Sequence, residues 1–423
     1  MTGLLTALAI AQTVDGRLIK AFDLFPPISE SPTIALADSD SLKAKSLAKV
    51  YRGAKPGQAF IDNGIVQVQA SVQPFGRIES FSVRATGQTV ADLPMPIITL
   101  NGVACALGTA ENPLRPMTAQ GTLFAKPFDI RETPGPAFVW PPRGMGVKFT
   151  WNHPEMPDLI VELRYQMVDR EPVLNQTLTI RNGSPYAISI DQMDGGGQWP
   201  GEVFRSQMLH WVIRPGRVIE LPDAWYSLDP QGRWVDGTRR RTAESLCPWN
   251  ALKAKTLTAW PASESEVKQA AKAGYDAVLV PLSAGIAWSA PTAEDIEAVG
   301  AFVAMAKKAK VAAGTESDLG QIPAEPKDRT AGADSPVCWQ SFAGIHWRQN
   351  ALLTWRRLGI QFVQLSGELP GSCDKEGHGD HQGSAQARIE NALATRDFLR
   401  AGLALGIVIR HPGAYAYGPS ATY

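Results

Sequence analysis

The feature that most constrains this chain is a change of periodicity near residue 250. From Ile61 to about Ile190 apolar residues recur mostly at every second position and are broken by turn residues every eight to twelve positions, as half-buried antiparallel strands require. Beyond about residue 250 the pattern becomes strand, helix, strand, with frequent alanine, the pattern of βα units on a parallel sheet. The two patterns bury different faces, and 423 residues exceed the ~100–200 of an ordinary domain. The expected fold class is multidomain β plus α/β. An N-terminal antiparallel β-sandwich over residues 21–245 is followed, over residues 246–423, by an incomplete (β/α)8 TIM-type barrel of about five βα units.

In the first part, Ile65 to Val72 alternates cleanly after the turn Asp62-Asn-Gly64. Leu159–Met167 and Val173–Ile180 read as the two strands of a hairpin, with Asn182-Gly-Ser-Pro185 closing the second. A lone hairpin is marginal in water, so these faces need a second sheet.

In the second part, Leu257–Ala259, Ala277–Val280, Val311–Ala313, Gln361–Leu365 and Ile407–Ile409 read as parallel strands. Helices are expected from Glu264 with Ser263 as N-cap, from the Thr292-Ala-Glu-Asp295 capping box, over Phe342–Leu358 before Gly359, and over about Ala385–Leu405 before Gly406. No glycine-rich phosphate loop follows any strand, so no nucleotide cofactor, and no other cofactor, is expected. Five strands fall short of eight, which reads as a fragment of a longer barrel.

Lys plus Arg and Asp plus Glu are 41 each. A net charge of zero leaves no electrostatic footprint for a nucleic acid, so that partner is excluded. Met1 to Gln12 has the apolar run and Ala-x-Ala ending of a signal segment without a basic start. This predicts a signal over residues 1–20 and a secreted or periplasmic protein, with a cytoplasmic one as the alternative. No other apolar run nears the ~20 residues of a membrane span. Cys105, Cys247, Cys338 and Cys373 lie far apart without CxxC spacing, which indicates neither a zinc ribbon nor a dense disulfide framework; one or two bridges remain open.

In a parallel barrel the chemistry sits on loops beyond the C-terminal ends of strands. Those stretches are Pro281–Trp288, Gly314–Asp318, Ser366–His381 and Arg410–Tyr415. The third holds Glu368, Asp374, Glu376, His378, Asp380 and His381 in a chain with six histidines. Facing carboxylates in such a loop suit the acid and nucleophile roles of glycoside hydrolysis. The alternative is a solvated polar loop, and the spacing of His378, Asp380 and His381 matches no strong metal motif. Trp260, Trp288, Trp339 and Trp347, among twelve tryptophans, supply flat faces for sugar stacking or serve the core. His346 and His411 are read as structural histidines or site residues. The expected carbohydrate-binding set is His378, Asp380, His381, Glu316, Asp318, Trp260, Trp288, His411 and Tyr415. The expected catalytic set is Glu368, Ser366 and Asp374, with no metal.

Several segments carry a family resemblance. Glu162–Asn182 is similar to the paired strands of a galactose-mutarotase-type sandwich, and Ala243–Asn250 looks like the linker into a barrel. Phe362–Cys373 with His378–Gly383 resembles the fourth-strand loop of bacterial members of the α-galactosidase-like group of glycoside hydrolases. The resemblance spans most of residues 60–418 and holds by order more than by identity. It implies an enzyme of α-galactosidase type acting on an oligosaccharide or polysaccharide, with an Asp nucleophile ending the fourth strand. Ser366 stands at that position here, and a serine without an adjacent base does not replace a carboxylate. Glu368 supplies one only with a rearranged loop, and the family's acid/base Asp belongs to a sixth strand, beyond Tyr423. The alternatives are therefore a hydrolase using Glu368, a carbohydrate-binding relative that has lost its nucleophile, and an interaction protein whose sandwich is the working part.

Overall fold

The computed structural model describes residues 47–55, 57–71, 75–91, 95–117, 126–128, 138–140, 144–169, 172–194, 211–221, 224–227, 252–375, 377–378, 381 and 383–412. The N-terminal signal-like segment, the 243–250 linker, Cys247, Glu376, Asp380 and Tyr415 lie outside the described residues. No helix among the described residues is long and apolar enough to cross a membrane.

The first part is built of antiparallel sheets. Five strands from Lys49 to Ala91 pair in chain order, Ile97–Leu100 and Ile188–Asp194 form the middle of a four-stranded sheet, and a larger sheet is centred on the hairpin Leu159–Val168 and Val173–Asn182. The hairpin register pairs Val161 with Ile180 and Leu163 with Leu178. All four are buried, as are Tyr165 of the same hairpin and Phe81, Ile98, Phe149, Ile190 and Trp211 from the other strands, and together they form one core. Full burial of each aliphatic side chain contributes about 1.5–3 kcal/mol. Asn182 ends the second hairpin strand for a local reason. Its buried Nδ2 donates to the carbonyls of Tyr186 at 2.8 Å and Ile213 at 2.9 Å, while Oδ1 accepts from the Ser184 N–H and hydroxyl.

The second part is a five-stranded parallel sheet in which strand order equals chain order: Ala254–Thr256, Ala277–Val280, Ala312–Asp318, Phe362–Ser366 and Val408–Arg410. The order never reverses, unlike that of a doubly wound sheet. Two strands differ from expectation. The first lies three residues earlier than Leu257–Ala259, because Leu257 packs as a core residue just beyond the strand. The third runs on through Asp318, so Gly314–Asp318 is strand and not loop.

Helices α1 (Glu264–Lys272), α2 (Ala293–Ala309), α3 (Phe342–Leu358) and α4 (Gly383–Ala404) link these strands. Ser263 caps α1 through the Glu266 N–H, and Thr292 with Asp295 forms the reciprocal capping box of α2. Gly359, at φ 81°, ends α3 in the left-handed conformation. Alternate strand residues Val278, Val280, Ala313, Val363, Leu365 and Ile409 meet Val299, Phe302, Trp355 and Phe398 from the helices in a second core.

Helix α4 joins both cores. Ile389 and Leu393 belong to the β core, whereas Ala394, Phe398, Leu399 and Ala401 belong to the sheet–helix core. Its polar residues Gln386, Glu390, Asn391, Thr395 and Arg396 are buried as well. Glu390 accepts from Trp211 Nε1 at 2.9 Å and from both terminal nitrogens of Arg217 at 2.7 Å. Arg400 donates to Glu220 at 2.8 Å, and Arg396 to the Glu220 carbonyl. Burial pushes the Glu220 carboxyl up, but Arg400, Arg396 and Arg164 outweigh it and hold the group at about 2.

Candidate functional site

Because one face of the parallel sheet is taken by the helices, chemistry is left to the other. Glu316, Gln364 and Arg410 occupy one register position on three adjacent strands, and the residues flanking each of them belong to the helix-side core or are buried. Thr256 Oγ1 donates to Glu316 Oε1 at 2.7 Å, and the Leu282 N–H donates to Oε2 at 3.3 Å. These donors, one on the first strand and one after the second, fix the carboxylate's orientation. Arg410 Nε donates to Gln364 Oε1 at 2.6 Å, its Nη1 to the Leu252 carbonyl at 3.2 Å, and its guanidinium lies 5.1 Å over the Phe362 ring. The row places an anion, an amide and a cation side by side.

One step towards the C-terminal edge, Asp318 pairs with Ser366. Asp318 accepts the Gly320 N–H at 2.9 Å. Gly367 is required beside it: its φ is +88°, and a Cβ there would lie 2.6 Å from Asp318 Oδ1. His411, after the fifth strand, is buried and donates Nε2–H to the Gly367 carbonyl at 2.9 Å. These contacts tie the ends of the third, fourth and fifth strands together. A cleft of about 130 Å³ opens here, lined by Glu316, Asp318, Gln321, Trp288, Ser289 and Trp347 among others.

Burial lowers the His411 pKa from its ordinary value, against the opposing pull of the Gly367 carbonyl. The unfolded chain therefore binds more protons between the folded value and about 6.5, and stability due to His411 is lost as pH falls below about 6.5. The melting temperature of the wild type is expected to drop more than that of His411→Gln between pH 7.5 and 5.5; parallel curves would contradict this placement.

The expected site residues divide into separate groups. Glu316, Asp318, Ser366, Trp288 and His411 gather at this edge. Glu368 and Asp374 are exposed further along the loop. Trp260 lies on the helix side, edge-on to Phe302 at 5.8 Å. His378 and His381 are buried with Cys338 and Cys373 in a cluster of their own. Asp380 and Tyr415 are outside the described residues. Gln364 and Arg410 were not singled out by sequence, although strand parity puts both on the face of Glu316 and Ser366. Trp339 stacks on Trp347 at 6.0 Å, and Trp347 stands edge-on to Trp355 at 6.1 Å. Trp347 also tilts against Phe398 at 5.9 Å and is 5% exposed, yet it reaches the wall of the cleft.

No family model matches the sequence, and no curated protein matches it either. Solved structures do. The GH36 α-galactosidase AgaB from Geobacillus stearothermophilus aligns over 86% of this chain and 72% of its own, with 8% identity and a TM-score of 0.47. A variant of AgaA from the same organism, solved in complex with stachyose, aligns over 86% and 74% with 8% identity and a TM-score of 0.46. The α-galactosidase from Lactobacillus brevis aligns over 88% and 72% with 8% identity and a TM-score of 0.41. Over most of its length, then, this chain is similar in structure to solved GH36 α-galactosidases.

Proposed function

We propose that this is a glycoside hydrolase-like protein of α-galactosidase type whose carbohydrate site is the cleft at the C-terminal edge of the parallel sheet. In this reading the sheet is an arc of a (β/α) barrel, whose sites lie at that edge. The observation that carries the reading is the pair Glu316 and Asp318, two carboxylates on one strand face, opening onto a cleft bordered by Trp288 and Trp347. Glycoside cleavage needs two carboxyl groups flanking the bond, and a pyranose presents apolar C–H faces that stack on indole rings. Gln364 and Arg410, bonded to each other on the two strands beside Glu316, extend the polar row of this face away from the cleft. Ser366, paired with Asp318, and His411, bonded to the Gly367 carbonyl, lie at the same edge, with Glu368 and Asp374 further out on the loop.

A second reading, binding without turnover, is supported by Ser366: the resemblance puts this residue where such enzymes carry their nucleophilic Asp. Calorimetry of the intact protein with raffinose, run beside hydrolysis of a chromogenic α-galactoside, separates the two. Binding with turnover supports the hydrolase, and binding without turnover supports the second reading. Absence of any heat and any product removes both.

A further inference from the structure

The fourth-strand loop holds a feature that the carbohydrate reading does not use. Cys338, on the segment leading into α3, meets Cys373, His378 and His381, on the segment leading into α4. All four side chains are buried, the two cysteines completely, and one ligand atom from each lies within 4.8 Å of every other. Cys338 Sγ is 3.5 Å from His381 Nε2, and Cys373 Sγ is 3.4 Å from His378 Nδ1. With metal–sulfur bonds of about 2.3 Å and metal–nitrogen bonds of about 2.0–2.1 Å at the tetrahedral angle, a sulfur–nitrogen edge is about 3.6 Å. These two sulfur–nitrogen spacings match the edges of such a tetrahedron, and the remaining ligand atoms lie within 4.8 Å of one another.

From this geometry we infer that Cys338, Cys373, His378 and His381 form a structural zinc site. Two sulfurs and two imidazole nitrogens in tetrahedral array select zinc over oxygen-seeking cations. Four protein ligands in a buried setting leave no open position, which marks a structural and not a catalytic centre. The tautomer of His378 is already set: its Nε2 meets the Lys327 carbonyl, which only accepts, so Nε2 carries the proton and Nδ1 presents its lone pair to the cluster. A backbone carbonyl on the far nitrogen is the usual support of a metal-bound histidine. Binding releases the two thiol protons to solvent as the Zn–S bonds form.

The ion would staple the loop after the third strand to the loop after the fourth. The hydrogen bond from the Asp374 N–H to the Thr330 carbonyl at 3.2 Å already brings these loops together, and within the first of them the Cys338 N–H donates to the Asp328 carbonyl at 2.9 Å. The staple therefore steadies the segment that begins with Ser366 and Gly367 at the cleft, yet it stands whether or not the cleft takes a sugar.

The test is metal content and cobalt spectroscopy on the intact protein, purified under reducing conditions. About one equivalent of zinc per chain is expected. Replacement by cobalt should give thiolate-to-metal charge transfer and the intense visible bands of a tetrahedral ion. Cys338→Ser and His378→Ala should each weaken metal binding by more than about 100-fold, beyond the 10–100-fold cost of losing an outer partner, while Cys105→Ser keeps the full equivalent. The wild-type cobalt titration decides the matter even if a variant fails to fold. A folded wild type that takes up no cobalt with these bands would overturn the proposal. So would a Cys338–Cys373 disulfide found by mass spectrometry without reduction, or a full equivalent retained by both ligand variants.

Discussion

Replacing Arg217 with methionine is expected to destabilise the protein by up to about 3 kcal/mol, the low end of the cost of leaving one member of a buried ion pair alone, because Glu390 is buried while the Arg217 side chain is 26% exposed. Glu390 on α4 is 2% exposed and takes both terminal nitrogens of Arg217 at 2.7 Å, with Trp211 Nε1 at 2.9 Å. Without the guanidinium the carboxylate keeps one donor of these three and none of the charge. It must then become protonated or draw in water, and either response loosens α4 from the β core. The double variant Arg217→Met with Glu390→Leu should recover much of the loss, because an apolar replacement of the whole pair removes the desolvation cost along with the attraction. Urea denaturation measures both. A loss below about 1 kcal/mol for the single variant would place the pair among exposed ion pairs and would contradict the docking of α4.

The second large effect is on chemistry. If the cleft hydrolyses glycosides, Glu316→Gln is expected to lower kcat by about 100- to 10,000-fold, the range for removing a positioned acid or base. The protein should stay folded. Glutamine is isosteric, its oxygen still accepts from Thr256 or Leu282, and the site is only half-buried. Asp318→Asn should behave similarly, and the double variant should fall little below the weaker single one, because groups acting as a unit are not additive. If the protein only binds sugar, the same variants weaken affinity, with no turnover to lose. An unchanged kcat in Glu316→Gln would remove Glu316 from the mechanism.

Much of the second part's layout is legible in the sequence because helix ends are written in local chemistry. Ser263, the Thr292 to Asp295 box and Gly359 each satisfy or release backbone groups within a few residues, and helix α3 begins and ends where the pattern places it. The third strand is less legible. Ala312-Ala-Gly314 has no β-forming side chain, and it is strand because it pairs on both sides. Gly314 sits where a Cβ would come within 2.6 Å of the Phe362 carbonyl. Hence Glu316 and Asp318 stand on a strand and share its rigidity.

Two features needed tertiary structure to appear. The polar residues of α4 carry no local sign of burial, yet Glu390 is buried against Trp211 and Arg217 of the β part, and Asn391 and Thr395 are buried against Trp339. Cys338 and Cys373 lie 35 positions apart without motif spacing, and only the packing of successive βα loops brings them to His378 and His381. Of the fourth-loop groups read together from sequence, the two imidazoles turn inward to sulfur, whereas Ser366 stays at the strand edge beside Asp318.

The most direct measurement is a crystal structure of the intact protein grown with a saturating α-galactoside. The sugar is predicted in the cleft between Glu316, Asp318 and the indoles of Trp288 and Trp347, with at least one hydroxyl bonded to a carboxylate. Sugar density elsewhere on the protein, with this cleft holding only solvent at a concentration where calorimetry shows saturation, would contradict the account.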